Sequence, residues 1–310
     1  MTDVIEKKSF SRFVKEEIYK TEISDKCCVN ARFIGLLLFG ASKVTKSEIR
    51  LVTDNPDVLG SFVELSRLLG NEAEVRQNSE RHIKYKAVIS DSVKVAQLLY
   101  DLKLLDEHGN IRFSDKKLKR LCCKREFLRG AFLGAGFVSD PEKNYSLEIV
   151  TPYRELAEAV VKTFREVGFE LRLSLRKNRF VAYVKNSETI ADILTFLGAW
   201  KAQMALLNIK IEKEIRNDVN RSANGETSNL SKTINASVEQ IQAIQKIIKT
   251  DGLDSLPEDL REIALLRMEN KDLSLSELGK LLNPPLTKSG VNHRMQKIIK
   301  QAVLHSRIEQ

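Results

Sequence analysis

An internal repeat marked by two pairs of adjacent cysteines constrains the fold more than any other feature of this chain. Cys27-Cys28 and Cys122-Cys123 stand at an offset of 95 residues, from 27 to 122, and the same offset places Gly35 on Gly130. Each cysteine pair leads into an apolar segment with helical spacing, at 32–41 and at 127–136. A chain of 310 residues that carries such a pattern twice is expected to contain a duplicated domain.

Patterns of secondary structure recur in the same order after each apolar segment. In the first copy we predict a strand, a helix, two strands and a helix at 48–53, 56–69, 73–76, 83–89 and 93–104. In the second copy the same order falls at 146–151, 152–167, 170–175, 180–184 and 190–200, with a three-residue insertion near 140–144. The copies, about 24–105 and 119–200, are each predicted to be α-β-α-β-β-α.

Small residues on the two apolar helices indicate that the copies pack against each other. Gly35, Gly130 and Ala131 would let two helix backbones approach closely. These segments resemble the paired helices of the LAGLIDADG homing endonucleases, whose two copies form a pseudo-twofold core with saddle-shaped sheets astride DNA. The resemblance implies an α+β fold with a duplicated LAGLIDADG-like domain over residues 1–215. Two ordinary amphipathic helices in unrelated α+β domains are the alternative.

The positions that would carry nuclease chemistry hold no carboxylate. In that endonuclease family an acidic residue near the base of each paired helix holds a divalent metal, which prefers anionic oxygen ligands. Counted from the internal glycine, these positions are Gly40 and Ala135, and after Ala135 no carboxylate follows until Asp140. We therefore predict a degenerate, non-enzymatic domain with no catalytic residue, no metal and no cofactor. A metal-dependent endonuclease is kept as a competing hypothesis.

The cysteine pairs have the wrong spacing for a zinc motif within one pair. Zinc sites use spacings such as Cys-x-x-Cys, whereas adjacent residues on a helix point about 100° apart. We interpret the four cysteines as small apolar packing residues near the start of a helix.

Positive charge favours a polyanionic partner. The formal net charge is +9 and the isoelectric point about 9.2. One group of cations precedes or enters the second apolar helix: Lys116, Lys117, Lys119, Arg120, Lys124, Arg125 and Arg129. In the second hairpin, one strand face is expected to hold Arg172, Ser174 and Arg176, opposite Leu171, Leu173 and Leu175, with Lys177 and Arg179 at the turn. This face either contacts phosphates or another acidic surface, or is merely solvated.

The C-terminal third is predicted to be a polar linker followed by a helical domain, with a wholly helical pattern from Asp251 onward. Residues 216–236 are polar and rich in asparagine, which favours a flexible linker over a segment lying on DNA. In the domain 237–310, Ser255 and Glu258 have the spacing of a capping box, as do Ser274 and Glu277. The second helix, 275–282, ends at Asn283-Pro284-Pro285, and Thr287 caps a third helix with a stripe of Val291, Met295, Ile298 and Ala302.

A short helix, a tight turn and a longer helix are typical of a helix-turn-helix domain, whose second helix enters the major groove of DNA. Off the apolar stripe, the types suited to base edges are Lys288, Ser289, Asn292, His293 and Gln296. Those suited to phosphates are Arg294, Lys297 and Lys300. The alternative is a plain three-helix bundle with a solvated basic helix.

The run 274–294 closely resembles the WhiA regulators of bacterial sporulation and cell division, as does the polar stretch 217–229. The resemblance covers essentially the full length. It implies a double-stranded DNA partner and a transcriptional regulator that acts in cell division and chromosome segregation, in the cytoplasm and associated with the nucleoid. A regulatory or cell-division protein is a further candidate partner for the N-terminal domain, which would make the chain a scaffold. No apolar run approaches the roughly 18 residues of a membrane span.

Overall fold

A computed structural model of the chain describes residues 9–23, 25–78, 84–106, 108, 110–113 and 118–305. It divides into two compact units, Met1–Lys213 and Glu214–Gln310. Lys116 and Lys117 lie outside the described residues. Among the helices described, none has the length and apolar character needed to cross a membrane.

The first unit consists of one leading helix, α1 (Phe10–Tyr19), followed by two copies of the same series of elements. The first copy contains α2 (Lys26–Gly40), β1 (Ala41–Val44), β2 (Ile49–Thr53), α3 (Pro56–Leu68), β3 (Glu74–Asn78), β4 (Lys84–Ile89) and α4 (Ser92–Asp101). The second contains α5 (Leu121–Ala135), β5 (Gly136–Val138), β6 (Leu147–Thr151), α6 (Arg154–Arg165), β7 (Arg172–Arg176), β8 (Arg179–Val184) and α7 (Ser187–Leu197).

The two copies build sheets of identical topology, which confirms the duplication. The strand orders are β1-β2-β4-β3 and β5-β6-β8-β7, and every neighbouring pair is antiparallel. The predicted order α-β-α-β-β-α omitted one strand in each copy, because β1 and β5 continue directly from the paired helices. They are only four and three residues long, which is too short to show alternation in a sequence.

Helices α2 and α5 pack with their backbones in direct contact. A Cβ atom added at Gly35 would lie 2.2 Å from the carbonyl oxygen of Phe127. One added at Gly130 would lie 2.0 Å from the carbonyl oxygen of Arg32. Since real Cβ contacts are never so short, only glycine permits this crossing. The predicted close approach of the two helices is therefore confirmed, and the core of the unit forms around it.

A buried cluster of charges crosses the same helix pair. The Glu126 carboxylate accepts hydrogen bonds from Arg32 Nε and from Arg129 Nη1, both at 2.6 Å. All three side chains are less than one-tenth exposed. Arg32 also donates to the backbone oxygen and hydroxyl of Thr21, and Arg129 donates to the Leu197 carbonyl. Burial lowers the pKa of both guanidinium groups, and the shared carboxylate compensates for their loss of hydration.

Helix α8 (Trp200–Thr250) begins in the first unit and ends in the second. It includes all of 216–236, so the prediction of a flexible linker there is wrong. This stretch is exposed on every side and buries no apolar face, so the sequence carried no periodic signal for a helix. Extending an existing helix by one residue costs far less than nucleating a new one, and apolar turns on both sides supply the nucleus.

The second unit packs the end of α8 against three further helices. They are α9 (Glu258–Glu269), α10 (Leu275–Leu281) and α11 (Lys288–His305), with a short 3-10 turn at Leu253–Ser255. The predicted capping box is confirmed at Ser274 and Glu277. It is wrong at Ser255, whose hydroxyl instead donates to the Gly252 carbonyl at 2.7 Å. Helix α9 therefore begins later than predicted, after Pro257.

Replacing Gly130 by alanine should destabilise the first unit by at least about 3 kcal/mol, because the new methyl group would meet backbone rather than a movable side chain. The single tryptophan, Trp200, lies in this unit, so urea unfolding followed by its fluorescence measures the change. Gly225→Ala is the matched control: Gly225 lies in α8 with nothing near its missing Cβ, and alanine there should add up to about 1 kcal/mol of helix stability. Equal stability of the two variants would contradict the proposed contact.

Glu126→Gln should cost about 3–5 kcal/mol, because it leaves two buried guanidinium groups without a counter-charge. Glu158→Gln removes the same charge from an exposed pair with Arg154 on α6, and should change stability by less than about 0.5 kcal/mol. The same urea titration compares them. A loss below about 1 kcal/mol at Glu126 would show that this cluster is not buried as described.

Candidate nucleic-acid interface

Helix α11 divides into a buried stripe and an exposed polar face. The predicted stripe of Val291, Met295, Ile298 and Ala302 is confirmed, since each of these side chains is at most 3% exposed. Seven of the eight side chains predicted to contact DNA are exposed: Lys288, Ser289, Asn292, His293, Gln296, Lys297 and Lys300. At about 100° per residue, Ser289, His293, Gln296 and Lys300 fall within about 60° of one another, opposite the stripe.

Arg294 differs from the other seven. Its guanidinium lies 3.5 Å from the Asp259 carboxylate and donates at 3.3 Å to the Asp259 carbonyl oxygen. The side chain is only 25% exposed. At this position α11 turns toward α9, and the arginine ties the two helices together. Its contact with a phosphate stays a prediction.

The turn before α11 is held by close backbone packing that the sequence analysis missed. A Cβ atom on Gly279 would lie 2.2 Å from the Leu286 carbonyl oxygen, and the Leu286 amide donates to the Gly279 carbonyl at 2.9 Å. Thr287 caps α11 as predicted, because its hydroxyl accepts from the Gly290 amide at 3.3 Å. A glycine inside an otherwise apolar short helix was the available signal for this contact.

Arg267 fixes the turn between α9 and α10 from inside. Its side chain is 2% exposed, and Nη1 donates to the carbonyl oxygens of Leu273 at 2.6 Å and Asn270 at 3.3 Å. Burial lowers the pKa of this guanidinium. A buried cation that satisfies turn carbonyls sets the angle at which α10 leaves α9, and α10 in turn positions α11.

The open face of the second sheet carries the predicted basic side chains. The register places Arg172 opposite Tyr183 and Arg176 opposite Arg179. Arg176 donates at 3.0 Å to Glu148 and lies 4.8 Å from the centre of the Tyr183 ring, so one of these cations is held in place. The hairpin turn is confirmed at Lys177-Asn178, where both residues have positive φ. Of the three leucines on the other face only Leu171 is buried, whereas Leu173 and Leu175 are 38% and 60% exposed.

The first sheet presents an equivalent basic face that the sequence analysis missed. Antiparallel pairing places Lys43 opposite Arg50 and Arg76 opposite Lys86, and Lys84 follows on the same side of β4. The inward residues Ile49, Leu51, Ala87 and Ile89 are at most 2% exposed. Their alternation with cations in 49–53 and 84–89 was the signal. Both repeats thus carry cations on their open faces, with Glu48 and Glu74 interspersed.

Several cations around the start of α5 take part in interactions within the fold and are not free on the surface. Arg129 belongs to the buried cluster, and Lys124 pairs with Glu166 at 2.8 Å. Lys119 and Arg120 are exposed, and Arg125 is half-buried. The predicted basic group is therefore reduced to its exposed members.

The ends of the paired helices hold no group that could activate a divalent metal. Gly40 and Ala135 are the last residues of α2 and α5. Beside them lies a recess lined by Gly134 and Gly136, in which Asp54 is the single acid among the described residues. Arg12 lies 3.3 Å from the Asp54 carboxylate, and Lys15 lines the same recess, its pKa lowered to about 8 by burial. One carboxylate paired with a cation is a poor substitute for two acidic ligands.

The four cysteines come together across the helix pair. Their Sγ atoms all lie within 4.8 Å of one another, with Cys28 and Cys123 buried and Cys27 and Cys122 half-buried. None is in a disulfide. The prediction that they are packing residues is confirmed, because Cys123 belongs to the apolar core and Cys27 and Cys122 pack against it. The sequence analysis missed that the fold joins the two pairs into one cluster. The repeat offset was the signal for this cluster, since equivalent positions on two paired helices meet at a pseudo-twofold axis.

Comparison with known proteins agrees with both units. Residues 124–216 match the model of the WhiA LAGLIDADG-like domain, and residues 219–302 match the WhiA C-terminal HTH domain. The chain is 39% identical over 307 residues to the "Probable cell division protein WhiA" of Alkaliphilus metalliredigens, covering 94% of this chain and 96% of the relative. It is 40% identical over 308 residues to the protein of that name from Caldicellulosiruptor saccharolyticus, covering 95% of this chain and 94% of the relative.

A solved full-length WhiA structure from Thermatoga maritima matches 95% of this chain and 98% of its own, with a TM-score of 0.59 and 27% identity. This match extends across the duplicated domain and the helix-turn-helix domain, so the predicted fold class is confirmed. The sequence relatives, the family models and the architecture agree, and the chain belongs to the WhiA family.

Proposed function

We propose that this protein binds double-stranded DNA sequence-specifically through α11 and acts, without enzymatic activity, as a transcriptional regulator in cell division and chromosome segregation. The observation that carries the proposal is the exposed face of α11, where polar side chains stand opposite the buried stripe. A helix that follows a tight turn and projects such a face has the shape that fits the major groove.

The side chains on that face fall into two groups, those suited to contact base edges and those suited to contact phosphates. Asn292 and Gln296 can bond bidentately to adenine, and Ser289 and His293 can reach other base edges. Lys297 lies on the flank of the face and Lys300 one turn further along, where lysines contact phosphates. From Lys280 to the end of the chain there are six lysines and arginines and a single acid, Glu309. This excess attracts DNA whatever its sequence.

The cell-division role rests on the relatives. Those described above carry the name of a probable cell division protein, and they align over nearly all of this chain. A DNA-binding chain acts in cell division by setting the expression of division genes or by contacting the chromosome as it segregates. Either role requires association with the nucleoid in the cytoplasm.

The duplicated domain supports this function with its two open sheet faces. We propose that these faces contact the DNA backbone, since cations stand on both. Exposed Phe137 on the open face of the second sheet, at 50%, and exposed Leu173 and Leu175 on its other face, at 38% and 60%, favour a protein partner as the second candidate. A regulatory or cell-division protein with an acidic surface would fit there.

Removing the base-reading side chains should abolish sequence preference while leaving non-specific binding. For Asn292→Ala, His293→Ala and Gln296→Ala together, each lost bidentate contact should cost about 1–3 kcal/mol on preferred genomic fragments. Lys297→Ala should instead weaken binding to all fragments and reduce the salt slope by about 0.9. Binding titrations over a range of salt concentrations measure both effects.

The control for these variants is Lys249→Ala, which removes one exposed lysine from α8. It should leave fragment preference unchanged. If the triple variant keeps the preference of the unmodified chain, α11 is not the reader, and recognition must lie in the duplicated domain.

The protein should not cleave DNA in the presence of Mg²⁺ or Mn²⁺, because the two helix ends supply no metal-binding carboxylate. Incubation with supercoiled plasmid and with the preferred fragments tests this, read by gel. Cleavage that disappears in an Asp54→Asn variant would show an active nuclease and overturn the non-enzymatic assignment. Cleavage that survives in that variant would be traced to a contaminant by its failure to co-elute with the protein.

A further inference from the structure

We propose that the four cysteines bind one Zn²⁺ ion that joins the two repeats of the N-terminal domain: Cys27, Cys28, Cys122 and Cys123. Their thiol sulfurs converge at the N-terminal ends of α2 and α5, where each helix contributes two adjacent residues of its first turn. The proposal stands apart from DNA binding, which uses other residues.

The distances suit a tetrahedral thiolate site. Zinc-sulfur bonds of about 2.3 Å give a tetrahedron with sulfur-sulfur edges of about 3.8 Å. The four Sγ atoms lie within 4.8 Å of one another, so contraction by about 1 Å closes the site, within reach of small side-chain rotations. Adjacent cysteines on one helix cannot enclose a metal, but here each pair supplies one edge and the facing helix supplies the opposite edge.

The four cysteines pack in and against the apolar core, but packing alone does not require cysteine at all four positions. The chain contains four cysteines, and all of them are in it. Cys27 and Cys122 are half-buried, and a half-buried position needs no small apolar thiol. Alanine, serine or valine would fill such positions equally well. Thiols gathered at one point, open to solvent on one side, are what a soft cation requires to enter and bind.

Positive charge lies near the cluster at the ends of both helices. On binding, the four thiols release their four protons to solvent and the zinc tetrathiolate has a net charge of −2. The cysteines lie in the first turns of α2 and α5, where the backbone amide groups carry partial positive charge. Lys26 and Arg120, immediately before the two cysteine pairs, are exposed cations at the same ends.

The site would clamp the helix pair at one end. Each helix is 15 residues long, or about 22 Å, and the opposite ends lead directly into β1 and β5. Glycine contacts hold the middle of the crossing. A metal at the N-terminal ends would link residues 95 positions apart in sequence, and would resist separation of the repeats without touching the open sheet faces.

The test is elemental analysis of the full chain, purified under reducing conditions without chelators. We expect about one zinc per chain. Exchange with Co²⁺ should produce the visible ligand-field bands and ultraviolet charge-transfer bands of a tetrahedral cobalt thiolate. Cys28→Ser and Cys122→Ser should each reduce the zinc content at least tenfold in competition with a chromophoric chelator. Asp25→Asn, an exposed neighbour of the cluster, is the control and should retain the metal.

Three results would overturn the proposal. Four titratable thiols and no zinc after incubation with Zn²⁺ would leave the cysteines as packing residues. Disulfides between the helices would show a redox pair instead, and iron with acid-labile sulfide would show a cluster of another kind. Zinc content and the cobalt spectrum of the unmodified chain decide the question even if a serine variant fails to fold.

Discussion

The direct backbone contact between α2 and α5 is the constraint on which the first unit depends. With glycine at 35 and 130, no side chain separates the helices, and the crossing point is set by carbonyl and amide groups instead of by interchangeable apolar residues. That one crossing sets the distance between the two sheets, since β1 and β5 continue from the C-terminal ends of these helices. It also decides which side chains meet at the N-terminal ends, where the four cysteines gather.

In the second unit, a small number of close contacts fixes the position of α11. A helix-turn-helix requires α11 to project at a fixed angle, and the described residues of this unit form no sheet that could support it. Arg267 fills the turn between α9 and α10, while Gly279 lets the turn before α11 pack against backbone. Arg294 fastens α11 to α9 through Asp259. The polar groups that are buried here serve the geometry of the exposed face.

Much of this architecture could be predicted from the sequence, because it repeats. The doubled cysteine and glycine pattern gave the duplication, and the periodic apolar positions located most of its helices and strands. The predictions failed where the local sequence shows no periodic pattern of apolar residues. Strands β1 and β5 are too short to alternate, and residues 216–236 show no apolar face although they are helical. The leading helix α1 was also missed, although its apolar residues Val14 and Ile18 lie one turn apart and are buried.

The exposed residues of the candidate site could be predicted where the exposure of a side chain follows from its position around the helix axis. Seven residues of α11 are exposed as their spacing predicts, whereas Arg294 depends on Asp259, which is 35 positions away in sequence. No local pattern reports such a partner. The clustering of the four cysteines was missed for the same reason, because it depends on the pairing of two segments that are distant in the sequence.

The charge cluster around Glu126 also determines which helix pairs with which. Applying the repeat offset of 95 residues, the counterpart of Glu126 is Ala31 and the counterpart of Arg32 is Phe127. A pair of two α2 helices would bury two Arg32 guanidinium groups with no carboxylate, and a pair of two α5 helices would bring two Glu126 carboxylates together without Arg32. Both self-pairings carry a desolvation cost that the natural pairing avoids. The halves of this duplicated domain have become an obligate unlike pair, so that α2 does not pair with a second α2, nor α5 with a second α5.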